Sequence, residues 1–577
     1  MFIRKPLSLA LILKSILFMR SLILFVFLFS SVLHTSAQAI NEKIYKITYV
    51  SSNHGKKVPN QDPQVLLVSE KLVKGSSEKK LADEREYPFE EFYIDWMKSP
   101  AEYIKVAYFS DEESLQTIDN EFMGRYDYKF SNETKEILGY TCYKAVTYIN
   151  SNTIELWYTN ELPYKASPVA IGQDLGVVLE YVRNGNSAIT ASKIEQAQQI
   201  IELPDAEKTD ALTYQDAIWK SRFIQIPIFE KEQINFVNNP KSTDEVLRFA
   251  SGTTILKKVQ IPELAAGTQG FIQAIQRSLG DAYDRTASIF LIRESEKETF
   301  LKGMKEGMDQ VATYENGNGT FYRGMVANEN YEPSIELMRF FTPFGIDHFN
   351  DRVQLKGKEW KNSVLYRQDI SEFVDILSGE EVYIGAFIGN YDGGGHELSL
   401  ELTFHPGWYT DAPKTEVIPL FNTTSVMEMG GQGYPTLFDT EKGLKVHFEL
   451  KEDAKDVTLR YITTGHGGWG GGDEFNQKTN SIYLNGTLVH NFIPWRVDCG
   501  SYRLYNPVSG NFQNGLSSSD LSRSNWCPAT VTPPNYISLG DLPAGKYSME
   551  VDIPQGKPEG NSFSYWNVSG TLLYTTF

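Results

Sequence analysis

His396–His405 reads HELSLELTFH, in which Leu398, Leu400, Leu402 and Phe404 alternate with Glu397, Ser399, Glu401 and Thr403. Successive side chains of a β-strand point to opposite faces, so a period of two puts the apolar groups on one face and the polar groups on the other. Such a strand covers a core on one side and meets water on the other, which is the antiparallel habit. The alternation returns at Tyr45, Ile47 and Tyr49, at Ile154, Leu156 and Tyr158, and at Leu444, Val446, Phe448 and Leu450. Val457, Leu459 and Tyr461 repeat it, as do Tyr547, Met549, Val551 and Ile553. Helical patterns are few. Asp369 can cap a short helix carrying Ile370, Phe373, Val374 and Leu377 on one side and stopped at Gly379. A second candidate spans Ala206–Ser221, and Ala265–Leu279 fits either a helix or a loop. The chain therefore reads as mainly β, built from antiparallel sandwiches or barrels.

Turn residues divide these strands into groups. The first group, 40–204, ends around Leu203-Pro204, and a polar linker, 205–228, leads to a second group, 229–407, closed by His405-Pro406-Gly407. A third group fills 408–577. Two to four domains are also what a chain of 577 residues suggests. An apolar fraction of 41% and a charged fraction of 22% are those of a globular protein. The 32 Tyr and 33 Phe suit β-sheet surfaces and also suit platforms for sugar rings. A net charge of -18 argues against nucleic acid as a partner, since phosphate recognition needs a basic face.

Residues 1–39 read as a signal peptide. Arg20 precedes the apolar run Ser21–Val32, and Ala37-Gln38-Ala39 offers a small-x-small cleavage site, so the mature chain should begin near Ile40. An uncleaved anchor is the alternative, and the cleavage site disfavours it, leaving no stable membrane insertion and a secreted or periplasmic product. In an oxidising compartment Cys499 and Cys527 can pair and leave Cys142 as an odd thiol. Three cysteines at these spacings do not form a zinc site.

Thr463–Phe475, TTGHGGWGGGDEF, holds six glycines, which supply no side chain to bury and so read as a tight loop that brings backbone close to a bulky ligand. His466, Trp469, Asp473 and Glu474 are the groups it would present. Phe492–Arg496 and Ser517–Pro528, SSSDLSRSNWCP, follow. Together these resemble the C-terminal domain of the peptide N-glycosidase F family, with Glu474, Arg523, Trp526 and the Cys499/Cys527 pair at the family's positions. Upstream, Arg339–Gly345, RFFTPFG, and Asp369–Gly407 resemble later strands of the family's N-terminal domain. The resemblance implies two adjacent eight-stranded jelly rolls with a site in the cleft between them, no metal or cofactor, and hydrolysis of the amide joining N-acetylglucosamine to asparagine. N-linked glycoproteins would be the substrates.

The family's principal catalytic residue is an Asp followed by Arg. Gly280–Ile292, GDAYDRTASIFLI, is the counterpart, giving Asp284 and Arg285 with Tyr283 in place of the family's Trp. A competing alignment sets Thr320–Val326, TFYRGMV, there and puts Tyr322 in the place of the Asp, which would describe a non-catalytic glycan binder, since a Tyr cannot serve as base at neutral pH. A further family carboxylate is not kept: Gly389 or Asn390 stands at its place, followed by Tyr391 for the family's aromatic, with Asp392 close by. Lys135–Val146, KEILGYTCYKAV, and Thr153–Leu162 loosely resemble the GLPGLI family, with its signature blurred to Gly172–Leu179, and residues 40–204 are read as an accessory β-rich domain.

Amide hydrolysis needs a base for water, donors for the oxyanion and a proton for the leaving amine. Asp284 is the candidate base, with Glu474 opposite it holding sugar hydroxyls or a water. Arg285 and Arg523 are planar donors suited to carbonyl and sugar oxygens. Tyr391, Trp469, Trp526 and His466 complete the expected substrate-binding set. Taken alone, Asp-Arg is more often a solvated turn and Asp473-Glu474 at least as readily a surface acidic pair; the family pattern gives them a role.

Overall fold

A computed structural model describes residues 43–345, 354–407, 412–424, 434–438, 443–467, 472–507, 517–558 and 562–576. The chain divides into two compact units, one up to Ser221 and one from Arg222 onward. The first unit is a single 13-stranded sheet whose neighbouring strands are antiparallel throughout, except where Glu207–Lys208 pairs in parallel with Leu115–Gln116. That pairing and the helix Ala211–Lys220, capped by the Asp210 carboxylate on the amides of Leu212 and Thr213, occupy the stretch expected to be a linker. The linker 205–228 is therefore structured, and it ends inside the strand Ile224–Ile234 of the second unit.

The second unit consists of two sandwiches. In the first, the strands Ile224–Ile234, His396–His405, Gln269–Ser278 and Val364–Asp369 form one sheet. Ala265–Leu279 thus resolves as strand rather than helix or loop. The facing sheet runs in the order Leu247–Phe249, Thr254–Gln260, Glu381–Ile388, Thr286–Ile292 and Ile335–Phe341. Ile272, Leu400, Leu402 and Phe404 from one sheet meet Ile255, Ile289, Leu337 and Ile384 from the other in one core. Among the described residues this sandwich has nine strands of its own, one more than expected. The second sandwich has the expected eight, in two sheets of four, packed around Leu459, Val568, Val446 and Met549. The short helix expected after Asp369 is present as the turns Ser371–Phe373 and Val374–Leu377, but Ile370 rather than Asp369 occupies the N-cap, and the Asp369 carboxylate accepts from the Ser371 amide at 2.9 Å.

Thr286–Ile292 and Ile335–Phe341 are buried at every position. The reason is that their sheet is covered on both sides: Ile289 and Leu291 face the first core, while Phe290 and Ile292 pack with Phe421 and Tyr461 of the second sandwich. A bulge between these two strands, where Ile289 opposes Met338 but Phe290 opposes Glu336, adds one residue at Leu337. Glu336 and Arg339, three apart, consequently point the same way, toward the second sandwich. Arg339 donates to Glu336 at 2.7 and 3.0 Å, to Thr464 Oγ1 at 3.0 Å, to Thr424 Oγ1 at 2.6 Å and to the Asn567 carbonyl at 2.7 Å. Ser288 and Ser569 complete Glu336, at 2.9 and 2.5 Å. Arg460, from the second sandwich, caps the carbonyls of Glu336 and Leu337 at 2.7 and 2.9 Å. Finally Val531–Thr532, from the C-terminal half, pairs with Phe340 and Arg339 and extends the first sandwich's sheet.

Candidate active site

Asp284 sits on the loop that leads into Thr286–Ile292, at the edge of this shared layer. Thr342 fixes that loop from both sides. Its hydroxyl accepts from the Arg285 amide at 2.8 Å and donates to the Tyr283 carbonyl at 3.2 Å, while its amide donates to the Arg285 carbonyl at 3.0 Å. Glu474 comes from the second sandwich, on the segment after Ala454–His466, where its carbonyl accepts from the Ser524 amide at 3.0 Å. Arg523 joins the two: one nitrogen, Nη1, donates to Asp284 Oδ2 at 3.1 Å and to Glu474 Oε1 at 2.6 Å. Its other terminal nitrogen is held by the Ser518 carbonyl at 2.7 Å, and its plane lies over Trp526 at 4.4 Å and Phe475 at 5.2 Å. The disulfide Cys499–Cys527 closes the loop from which Arg523 projects.

One cation thus holds two carboxylates contributed by opposite sandwiches. Burial pushes the Glu474 carboxyl up to about 7; Arg523 opposes the rise and the Asp284 charge adds to it. Burial likewise raises Asp284, against the pull of Arg523 and Arg285. Glu474, held up near 7, can exchange a proton with water near physiological pH, and Asp284, raised by the same burial, shares its Arg523 donor.

Arg285 is placed differently from Arg523. Its guanidinium is committed to Asp281, at 2.7 and 3.1 Å, and lies over the rings of Tyr283 at 4.9 Å and Tyr391 at 5.7 Å. Tyr391 is 75% exposed and Tyr283 57%, so they form an open aromatic surface beside Asp284. Asp281 itself is buried, and burial would raise it, yet the His396 ring 3.4 Å away and the hydrogen bonds from Arg285 hold it down at about 2. His396 also meets Gln276 at 2.9 Å. Sequence reasoning missed Asp281 and His396; the Asp281-x-x-x-Arg285 spacing in the quoted segment was the available signal.

His466 and Trp526 lie behind the carboxylates rather than among open substrate contacts. Both are buried: Trp526 stacks on Phe341, His466 stacks on Tyr565, and the two rings meet each other at a tilt. Burial, together with the charges of Arg339 and Arg523, lowers His466 to about 3, so it is neutral and pairs with Thr464 Oγ1 at 2.9 Å. The Trp526 indole donates to the Gly465 carbonyl at 3.0 Å, and its ring supports Arg523 instead of offering a free face to a sugar. Part of the glycine run is core packing after all: a Cβ on Gly465 would lie 2.7 Å from the Trp566 ring. Asp473 is buried, accepting from the Gly556 amide and, at 2.8 Å, from Trp566. Trp469 lies outside the described residues. Asp392 accepts from the amides of Gly394 and Gly395, at 2.8 and 2.9 Å, as a loop clasp. Tyr322 is buried in the hairpin Thr313–Glu315/Phe321–Arg323, with its hydroxyl engaged by Asn316 and Thr436, and takes no part in the Arg523 cluster.

Comparison with known proteins matches this arrangement to a family. The profiles for the N-terminal and C-terminal parts of Peptide-N-glycosidase F match residues 225–404 and 433–573. Two crystal structures described as PNGF-II, in the C2 and P21 space groups, are each 51% identical to this chain. They cover 93% of it and 98% and 100% of their own lengths, with TM-scores of 0.84 and 0.85. The chain belongs to the peptide-N-glycosidase F family. Its N-terminal unit, which in sequence resembled the GLPGLI family, matches instead the N-terminal domain profile of N-glycanase peptide over 47–216. Among curated protein sequences none matches significantly. The family's two sandwiches are those that supply Asp284 and Glu474.

Proposed function

We propose that this member of the family is an active glycoamidase that hydrolyses the amide between N-acetylglucosamine and asparagine, releasing the glycan and leaving aspartate. The observation that carries the reading is the Asp284–Arg523–Glu474 bridge across the two sandwiches. In this reading Asp284 takes a proton from the attacking water as oxygen adds to the amide carbon. The C–N bond then breaks with the proton passing to the departing glycosylamine. Glu474, half-protonated near pH 7, orients the water or a sugar hydroxyl, accepting or donating as the step requires. Arg523 keeps the two carboxylates apart in role and together in space, and it offsets charge that develops on the carbonyl oxygen. Tyr283 and Tyr391 around Arg285 provide faces for the first sugar.

The reaction is tested on an N-glycopeptide in ¹⁸O-water. Conversion of the linking Asn to Asp with one ¹⁸O in the side chain is the expected product. Release that leaves N-acetylglucosamine on Asn, or binding without turnover, rejects it. Export is part of the same proposal. It is supported by the Ala37-Gln38-Ala39 site and by the disulfide.

A further inference from the structure

The first unit contains a cleft of its own, of about 680 Å³, within the ~300–1,000 Å³ range of small-ligand sites. Four aromatic side chains line it from four separate segments: Trp96 just after Phe89–Asp95, Phe130 in Lys129–Ile137, Tyr158 in Asn152–Thr159, and Tyr164. Phe130 is 65% exposed. A phenyl ring left in water while neighbouring rings converge on the same space is costly unless something covers it.

The polar groups of the cleft complete the pattern. The Glu70 carboxylate, the Asn160 amide, the Lys165 ammonium and the Trp96 indole N–H line it and form no hydrogen bond or ion pair among the described residues. They are a mixture of donors and acceptors with no excess of one sign beyond a single charge, counting Asp174, whose carboxylate holds the Gly124 amide at 3.2 Å. Asn160 is seated deliberately: a Cβ on Gly176 would lie 2.6 Å from its Oδ1 and 2.2 Å from the Thr159 carbonyl, so only glycine admits that approach. We propose that this cleft is a carbohydrate-binding site that takes a neutral oligosaccharide, separate from the amide-cleaving residues. Sugars present an apolar C–H face for the rings and hydroxyls that both donate and accept at the rim. A polyanion would meet Glu70 and Asp174, and an apolar ligand would strand four uncommitted polar groups.

The probe is a free, mannose-rich N-glycan oligosaccharide without asparagine, so the outcome does not depend on amide hydrolysis. Hydrogen exchange of the full chain with this sugar should slow in 158–165 and 174–177. Phe130→Ala, at an exposed position, should lose that protection and weaken binding by ~10-fold. Its turnover of a short glycopeptide should stay as in the parent, and Asn160→Ala should weaken binding with the melting temperature unchanged. Protection confined to the loops carrying Asp284 and Glu474 would overturn the proposal. So would protection unaffected by either substitution, protection given equally by a sulfated polysaccharide, or no protection at all.

Discussion

Replacing Glu474 by Gln isolates the electrostatic cost of the two-carboxylate site. Glu474 is pushed from 4.5 to about 7 chiefly by burial. At ~1.4 kcal/mol per pH unit, that rise corresponds to about 3 kcal/mol. Since the folded value lies above the unfolded one, the native state keeps this proton where the unfolded chain has lost it. The stability this supplies is complete below pH 4.5 and is lost as pH rises through about 7. A glutamine side chain cannot ionise, so the Glu474→Gln protein escapes the loss. The difference in melting temperature, variant minus parent, should be near zero at pH 4 and grow to roughly +4 °C by pH 8 for a unit of this size. Differential scanning calorimetry across that range measures it. A difference that stays flat, or that turns negative as pH rises, would refute the view that burial outweighs Arg523 at Glu474.

Further substitutions probe the remaining parts. Asp284→Asn keeps the size but not the proton acceptor, and turnover of a glycopeptide should fall by at least ~10²-fold while binding by calorimetry survives. Arg523→Ala removes the cation that lowers both carboxylates, so the acidic limb of the pH–rate profile should move to higher pH, and kcat/KM should fall by roughly 10–100-fold. Replacing Cys499 and Cys527 by Ser opens a loop spanning 28 positions, worth ~3–4 kcal/mol in the chain-entropy view, and should lower the melting temperature. Glu336→Gln leaves the buried Arg339 charge without its counter-ion and should cost about 3–5 kcal/mol in urea titrations.

The strands were legible wherever one face meets water: Leu398 to Phe404 and Leu444 to Leu450 alternate in burial as they alternate in chemistry. Thr286–Ile292 and Ile335–Phe341 did not alternate because both faces are covered, and a bulge that turns Glu336 and Arg339 to one side leaves no mark in a period of two. Asp284, Glu474 and Arg523 were legible through a family pattern. His466 was read as ligand-facing because a glycine run does not disclose which neighbours turn inward, and Trp526 because the family pattern places it near the site without saying which way its ring faces. His396, the first residue of the strand that decided the fold, faces Asp281 with no exposure at all, a contact between residues far apart in sequence that no local pattern encodes.

Val531–Thr532 gives the second sandwich a foothold in the sheet of the first, and Arg460 ties down the bulge carbonyls from the same side. The first sandwich expressed alone would present an unpaired sheet edge and two bare carbonyls, and the second alone would leave Arg460 without the acceptors it now has. The cleft that holds Asp284 and Glu474 is therefore not a hinge between two independent bodies but a seam in one inseparable fold. The bridge from Asp284 through Arg523 to Glu474 is built into the same seam that Val531–Thr532 and Arg460 close.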